Sequence, residues 1–404
     1  MTKQHIITIL CLFFLLIGIY VYKDANIIIE SSNSSPFVKQ ENIETIGYEN
    51  GKKIFEVKTK YLKQKTYHHV LYATGIINGR VYNQNGKTVI DQISGNYGRI
   101  NTSFKSIYVT DNIKALIYPS TSTRIIHVFA NEFRYNHQEK RAHFSKSANL
   151  NVRNIKINSD NLDYYNDLEI LFFEDGLSLF SMDSQTNVSR ALIDINTSLI
   201  LASQNVETTF SKRKSKSDSD QVKHLLASPT IIKSEQITID FSDNDKNIIT
   251  YKENVNINQN EKQLTSDQLN LNFKTNIFEA SKNTQFTFEN LNWLIKKKRT
   301  IKNKNIKKIL AKKTKIKANK ATFYSKKNEL ILEEDIELKQ QDFKLTCDFL
   351  NYDIDNEVIT LTGHVIVKKL GIEHFNSKKL IIDIKNETFK SGSDKELSEI
   401  ILEL

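Results

Sequence analysis

Residues Ser266-Asp-Gln-Leu-Asn-Leu-Asn-Phe273, followed after a short polar turn by Asn276-Ile-Phe-Glu-Ala280, decide the fold class. Leu269, Leu271 and Phe273 alternate with Gln268, Asn270 and Asn272, and a period of two sends one set of side chains inward and the other outward, the signature of a half-buried strand. The pattern returns at Leu350, Tyr352 and Ile354, with Asn351 and Asp353 between them, and again a turn leads to a strand, Asn356-Glu-Val-Ile-Thr-Leu361. From about Tyr61 to Ser391 such short stretches recur and helical periodicity is almost absent.

The recurrence has a period. A polar residue followed by an aliphatic one opens the returning strand at Asn149-Leu150, Gly176-Leu177, Asn205-Val206, Asn254-Val255, Gln285-Phe286, Asp335-Ile336 and His364-Val365. These steps fall about 29 residues apart, except where an insertion adds about twenty: Ser211-Lys-Arg-Lys-Ser-Lys-Ser-Asp-Ser-Asp220 in one interval and the Lys-rich run 296–320 in another. A second landmark agrees with the first: Ser159-Asp-Asn-Leu-Asp-Tyr164, Ser266-Asp-Gln-Leu-Asn-Leu271, Cys347-Asp-Phe-Leu-Asn-Tyr352 and Ser377-Lys-Lys-Leu-Ile-Ile382 occupy equivalent places. Self-similarity of this kind marks an array in which each unit covers its neighbour's apolar face. A β-solenoid, a stacked β-taco or a jelly roll would satisfy it, whereas a propeller blade needs about 40 residues or more.

Composition bounds the rest. With 404 residues, 39% of them hydrophobic, 16 Tyr and 22 Phe, the chain carries enough apolar material for a packed core. The two cysteines, Cys11 and Cys347, are far apart, which excludes a disulfide framework and a Cys-based zinc site. The net charge of +10 suggests an anionic partner, but Lys, Asn and Ile are over-used everywhere, so the charge is discounted. At the amino terminus, Ile6 to Tyr22 runs without a charge up to Lys23, and Tyr20, Tyr22 and Lys23 stand where a cleavage site would need small residues. Residues 1–28 are therefore expected to be an uncleaved signal anchor forming one transmembrane helix, with a cleaved signal peptide as the alternative; either exports the rest of the chain. A linker is expected over 29–60, including Ser31-Ser-Asn-Ser-Ser-Pro36, and an exported body after it.

Little in this chain looks catalytic. The histidines, His5, His68, His69, His127, His137, His143, His224, His364 and His374, form no ligand pair with carboxylates at metal spacing, and no Gly-x-Ser-x-Gly elbow, P-loop or dinucleotide fingerprint is present. Asp160, Asp240, Asp353 and Asp383 fall in turns, where Asp bonds nearby backbone. The expectation is no enzyme, no metal and no cofactor. Binding is the better reading, because inward Phe133, Tyr135, Leu162, Tyr164, Leu269, Leu271, Phe273, Phe278, Phe286, Phe288, Leu350, Tyr352 and Ile354 would line an apolar trough. Burying a lipid chain there is worth about 0.8 kcal/mol per CH₂. The same pattern would equally fill a closed core, and only resemblance to a known family favours a trough over it. The run 296–320 carries thirteen basic residues and no acidic one; it is either a contact for glycolipid phosphates or an anionic membrane surface, or a solvated loop. It lacks the aromatic interleaving of a nucleic-acid site, and no nucleic-acid partner is expected.

The stretches Ile125-Ile-His-Val-Phe-Ala-Asn-Glu-Phe-Arg-Tyr-Asn136, Ala142-His-Phe-Ser145, Asn149-Leu-Asn-Val152 and Ile157-Asn-Ser-Asp-Asn-Leu-Asp-Tyr164 resemble the LptC-type periplasmic proteins of lipopolysaccharide export. Val81-Tyr-Asn-Gln-Asn-Gly-Lys-Thr-Val-Ile90 looks like that family's early hairpin, and Leu361-Thr-Gly-His-Val-Ile-Val367 is similar to a strand start shared with LptA/OstA proteins. LptC-type chains are usually about half as long. The resemblance implies an all-β, elongated β-jellyroll or β-taco of stacked antiparallel strands behind one anchor helix. Its parts would be an LptC-like jellyroll over 61–210, a polar insertion over 211–229, and an LptA/OstA-like continuation over 230–395 carrying the basic insertion 296–320. It further implies a single-pass inner-membrane protein with a periplasmic carboxy-terminal domain, which receives lipopolysaccharide from an ABC transporter and passes it to an LptA-like partner by edge-strand pairing. A β-solenoid enzyme acting on polysaccharide and a structural envelope scaffold are the competing readings.

Overall fold

The computed structural model describes residues 37–400 apart from 66–68, 120–124, 182–183, 212–227, 243–247, 295–299, 342 and 394–396. The expected anchor over 1–28 and most of the polar insertion over 211–229 lie outside the described residues. Among the described residues, no helix is long and apolar enough to cross a membrane.

The chain is an all-β array of antiparallel strands hydrogen-bonded into one sheet. The first eight are β1 (Phe37–Glu49), β2 (Lys52–Lys65), β3 (Val70–Tyr82), β4 (Thr88–Asn101), β5 (Ser106–Ile117), β6 (Ile126–Asn136), β7 (Arg141–Val152) and β8 (Ile155–Tyr165). Two strands are then each split in half: β9 (Ile170–Phe173) and β10 (Leu177–Ser181) share β8 as a neighbour, and β11 (Ser184–Val188) and β12 (Arg190–Asp194) share β13 (Leu199–Phe210). The run continues with β14 (Thr230–Asp240), β15 (Ile248–Gln259), β16 (Lys262–Asn272), β17 (Ile277–Phe288), β18 (Thr314–Tyr324), β19 (Glu329–Gln340), β20 (Phe343–Asp353), β21 (Val358–Lys369), β22 (Ile372–Asp383), β23 (Thr388–Gly392) and β24 (Leu397–Ile400). Apart from the split strands, where β9 pairs with β12 and β10 with β11, each strand pairs with the next along the chain, so the sheet is an up-and-down meander. Strands β1 and β2 begin inside the stretch expected as a linker, and Ile54, Phe55 and Val57 there are buried.

Alternate strands in the repeat carry a bulge near their middle, and its cause is visible in the backbone. Gln204-Asn205, Glu253-Asn254, Lys282-Asn283, Glu334-Asp335 and Gly363-His364 are consecutive pairs with positive φ. Each pair interrupts its ladder: Lys252 faces Gln268 and Val255 faces Ser266, so Glu253 and Asn254 together oppose Asp267. Two residues against one make a bulge, which bends and twists the strand. Asn and Asp dominate the second place because they tolerate the left-handed region best among residues with a Cβ.

These bulges are the polar-then-aliphatic steps of the sequence at Asn205-Val206, Asn254-Val255, Asp335-Ile336 and His364-Val365, which therefore lie in the middle of strands and do not open a returning strand as expected, because two left-handed residues kink a strand without ending it. At two steps the bend sits two residues earlier, at Lys146-Ser147 and Lys282-Asn283, where Asn149-Leu150 and Gln285-Phe286 offered the same residue classes without the backbone turn. The second landmark lies on the facing strands. Ser159, Ser234, Ser266 and Ser377 each donate Oγ–H to the carbonyl two residues on, at 2.9, 2.9, 3.0 and 3.0 Å, which satisfies a backbone acceptor where the ladder breaks. On the outside of the same bends Asn283 Nδ2 donates to Asp267 (2.7 Å), Gln236 Nε2 to Glu253 (2.9 Å), and His364 Nδ1 lies 2.7 Å from Asp348. Gly363 belongs to this row, with φ +72 and Asp348 2.4 Å from where a Cβ would be, so only glycine fits.

Bulges at the same level of alternate strands fold the sheet along its length into two arms, and the apolar faces of both arms turn toward each other. Leu330 and Leu338, at opposite ends of β19, line one and the same cavity. The core is thus a long strip between the arms.

Candidate functional site

Cross-strand registry sorts the inward residues of β16 to β21 into three rows. Leu264, Phe286, Ile316, Leu338, Leu345 and Val367 stand opposite one another along the first arm. Leu271, Phe278, Phe323, Leu330, Tyr352 and Ile359 do so along the second. Nearest the bend runs the floor: Leu269, Ala280, Ala321, Leu332, Leu350 and Leu361.

The floor explains where space opens. Where it carries Ala280 and Ala321, a cleft of about 320 Å³ lies between the arms, walled by Leu264, Leu271, Phe273, Phe278, Phe286 and Phe323. Phe273 and Phe278 meet edge-on at 5.5 Å between centroids, and Phe278 and Phe323 stack at 6.2 Å. Polar groups collect on the rim: Gln259 Nε2 donates to Thr230 Oγ1 (2.9 Å) and Asn260 Nδ2 to Ser228 Oγ (2.7 Å). An apolar interior with a polar lip suits an amphiphile.

Where the floor turns to Leu332, Leu350 and Leu361, the remaining space is about 100 Å³, and it is covered. The cover is the basic insertion. A 3₁₀ turn, Asn292–Leu294, and one helix, α1 (Lys304–Ala311), place Leu291, Leu294, Ile306 and Leu310 in the core. Asn303 caps α1 by accepting from the backbone N–H of Asn305 (2.9 Å) and Ile306 (3.3 Å). At one end the strap is tied to the β22–β23 turn, where the N–H groups of Lys302 and Asn303 donate to Glu387. At the other end Gln340 Nε2 donates to the carbonyl of Ile309 (2.8 Å). Turn to turn, α1 crosses the mouth between the arms. The alternatives weighed for this run, a solvated loop or a surface contact, did not include a buried face. Ile306, Ile309 and Leu310 at helical spacing behind Asn303 are the signal that was available.

At the lip between open and covered sections Lys262 lies half-buried, its Nζ 4.7 Å from the Trp293 ring centre. Burial holds its pKa down at about 8, with Glu261 pulling the other way.

The thirteen trough residues divide between these surroundings. Phe133, Tyr135, Leu162 and Tyr164 are wholly buried, with Phe133 and Phe144 in contact at 5.0 Å. Leu269, Leu271, Phe273, Phe278 and Phe286 line the open cleft, and Phe288, Leu350 and Tyr352 line the covered space, with Ile354 buried in the core. The sequence reading passed over Phe323, Leu264, Ala280 and Ala321, although Phe323 follows the same alternation on β18.

Residues 231–388 match the model of a family described as LptA/(LptD N-terminal domain) LPS transport protein. That span is less than half of the chain, and it contains most of the lining of the open cleft and the strapped section. Among solved structures, LptH of Pseudomonas aeruginosa, described as the LptA homologous periplasmic component of the conserved lipopolysaccharide transport device, is 10% identical, with 44% of this chain and 96% of that chain covered at a TM-score of 0.23. No curated protein matches.

Proposed function

We propose that this chain is a carrier in lipopolysaccharide transport that holds acyl chains in the cleft between its arms and leaves the sugar and phosphates wet at the rim. The observation that carries the reading is an open apolar cleft, polar at its lip, whose aromatic walls lie within the segment that matches an LPS transport family. Leu269, Leu271, Phe273, Phe278 and Phe286 are the proposed lipid contacts; Phe288, Leu350, Tyr352 and Ile354 continue the surface under the strap; Phe133, Tyr135, Leu162 and Tyr164 form the closed base. Each methylene moved from water into such a wall is worth about 0.8 kcal/mol, so a few buried methylenes hold the tail while an open side keeps exchange possible.

In the finer version of this reading, residues 1–28 anchor the chain in the inner membrane as in LptC-type proteins, with the 61–210 jellyroll beside an ABC transporter and the 230–395 continuation reaching into the periplasm. The sheet supports onward transfer, because among the described residues β1 pairs only with β2 and β24 only with β23, which leaves strand edges at both ends for an LptA-like partner. No bond chemistry is assigned, and direction would come from the transporter's ATP hydrolysis.

The test is photocrosslinking in cells with a benzophenone amino acid at Phe278, and at Phe144 as a closed-core reference. Lipopolysaccharide adducts from position 278 and none from 144 are expected. Equal labelling at both, or none at 278 and at Phe323, would overturn the reading.

A further inference from the structure

The hairpin between β21 and β22 turns through Leu370-Gly371, with φ of 50° and 82°. The hairpin between β1 and β2 makes the same turn with Asn50-Gly51, at φ of 47° and 75°. Asn-Gly is what such a two-residue turn favours, since its first central residue must enter the left-handed region. Among the described residues, Leu370 is the one apolar side chain with a positive φ. It is also 73% exposed, and Ile372 beside it is 67% exposed. A strained position has thus been given to a leucine that packs against nothing.

The surroundings are basic. On the outward face of the first arm Lys315 stands directly opposite Lys339, Lys339 opposite Lys344, and Lys344 opposite Lys368, four lysines in register across β18 to β21. Like charges directly opposite each other are unfavourable in a sheet. Glu337 pairs with Lys339 and Lys344, and Glu373 lies across from Lys368; no ion pair of Lys315 or Lys368 is seen among the described residues. Across the mouth, α1 leaves Lys304, Lys307 and Lys308 exposed, and no acidic residue occurs between Glu289 and Glu329.

We infer that this rim, with Leu370 and Ile372 as its tip and the lysine row as its collar, docks on the surface of an anionic phospholipid bilayer. Two apolar side chains on an isolated fingertip are too little for a stable protein interface, which buries roughly 800 Å² per partner. They are enough to enter the headgroup boundary once electrostatic attraction supplies the rest, at about one favourable contact per lysine held near the surface. The inference is independent of whether the cleft carries lipid.

The experiment uses the full-length chain, with Cys11→Ala and Cys347→Ala, reconstituted in phosphatidylcholine vesicles with or without phosphatidylglycerol as the minority lipid. An environment-sensitive fluorophore is attached through Ile372→Cys. Lipid-borne nitroxides near the headgroup are expected to quench it several-fold more strongly when phosphatidylglycerol is present. Leu370→Asn should remove most of the quenching without lowering the melting temperature, because Asn suits the turn. Replacing Lys315, Lys339, Lys344 and Lys368 together by Gln should abolish the difference between the two lipids. A probe left in water on both vesicles, quenching indifferent to phosphatidylglycerol, or shielding only when a second protein is added would each overturn the proposal.

Discussion

Up to β12 the inward apolar side chains are almost all buried; from the end of β13 onward a closed floor persists, but many side chains on the arms above it are only half-buried. The largest fully buried side chains, Phe55, Phe133, Tyr135, Phe144, Tyr164 and Phe173 among them, belong to the first part, with Tyr251 the exception. The partly buried apolar residues packed on the core begin, apart from Ile43, at Phe210 and run through Ile257, Phe286, Phe323, Leu338 and Phe375 to Ile382. Both parts use the same alternation, the same bulged bend and the same registry. Period two decides which side chains face inward, but how far the arms stand apart decides whether facing inward means being buried. A greasy face can therefore be core in one half of an array and binding surface in the other.

The sharpest way to break the comparison is to shorten one aromatic in each part. Phe144→Ala empties a fully packed site and is expected to cost about 3–5 kcal/mol in denaturant unfolding, the range for a buried aromatic truncated in a core. Phe323→Ala, on the cleft wall, leaves a gap that solvent already reaches, and about 1 kcal/mol is expected because most of the cavity penalty is absent. Equal losses would mean that the cleft is as closed as the base.

Filling the cleft tests the other side of the contrast. Ala280→Leu with Ala321→Leu puts two larger side chains into the 320 Å³ space from its floor. Because the room exists, stability should change by less than about 1.5 kcal/mol, whereas overpacking a full core costs about 1–3 kcal/mol. The lipopolysaccharide adduct from position 278 should fall several-fold in the crosslinking assay. Adducts undiminished by the double substitution would show that the acyl chains lie elsewhere.

Much of this was legible in the residues. The alternation at Leu269, Leu271 and Phe273 gives the strands, and the Asn-Val and Asp-Ile steps give the repeat but not its meaning: they mark mid-strand bulges and not strand starts, because a bulge that needs two left-handed residues selects Asn and Asp. Ser-x-x-Leu marks the facing strand for an equally local reason, the serine bond to the carbonyl two residues on. The separation of the arms was not legible, since it depends on how small floor residues such as Ala280 and Ala321 line up across strands more than 40 positions apart in the chain. The strap was hidden by brevity: α1 spans eight residues inside a run whose charge dominates its pattern. The serine bonds are themselves testable. Ser266→Ala removes the Oγ–H that serves the carbonyl of Gln268, and about 1 kcal/mol should be lost in thermal unfolding, the usual worth of such a bond where water cannot replace it.

Buried charge sharpens the contrast last. In the closed part Asp163 is pushed up by burial, but its bonds to His143 and Arg141 more than reverse this, so it stays below the usual carboxylate range. At the open lip Lys262 has only the Trp293 ring and the distant pull of Glu261 against its desolvation, and its pKa falls to about 8. The unfolded chain, in which a lysine titrates near 10.4, then holds more protons than the folded one between about pH 8 and 10.4, so stability rises with pH across that window and is lower below it. Lys262→Met keeps the apolar stem over Trp293 and removes the charge. At pH 7 it should stabilise the chain by about 1 kcal/mol, a figure reduced from the full shift because the ammonium is still partly in water. That gain should shrink steadily between pH 8 and 10.4 in melting curves. A constant gain across the range would mean that the methionine works by packing alone and that the lip is no drier than the outer surface.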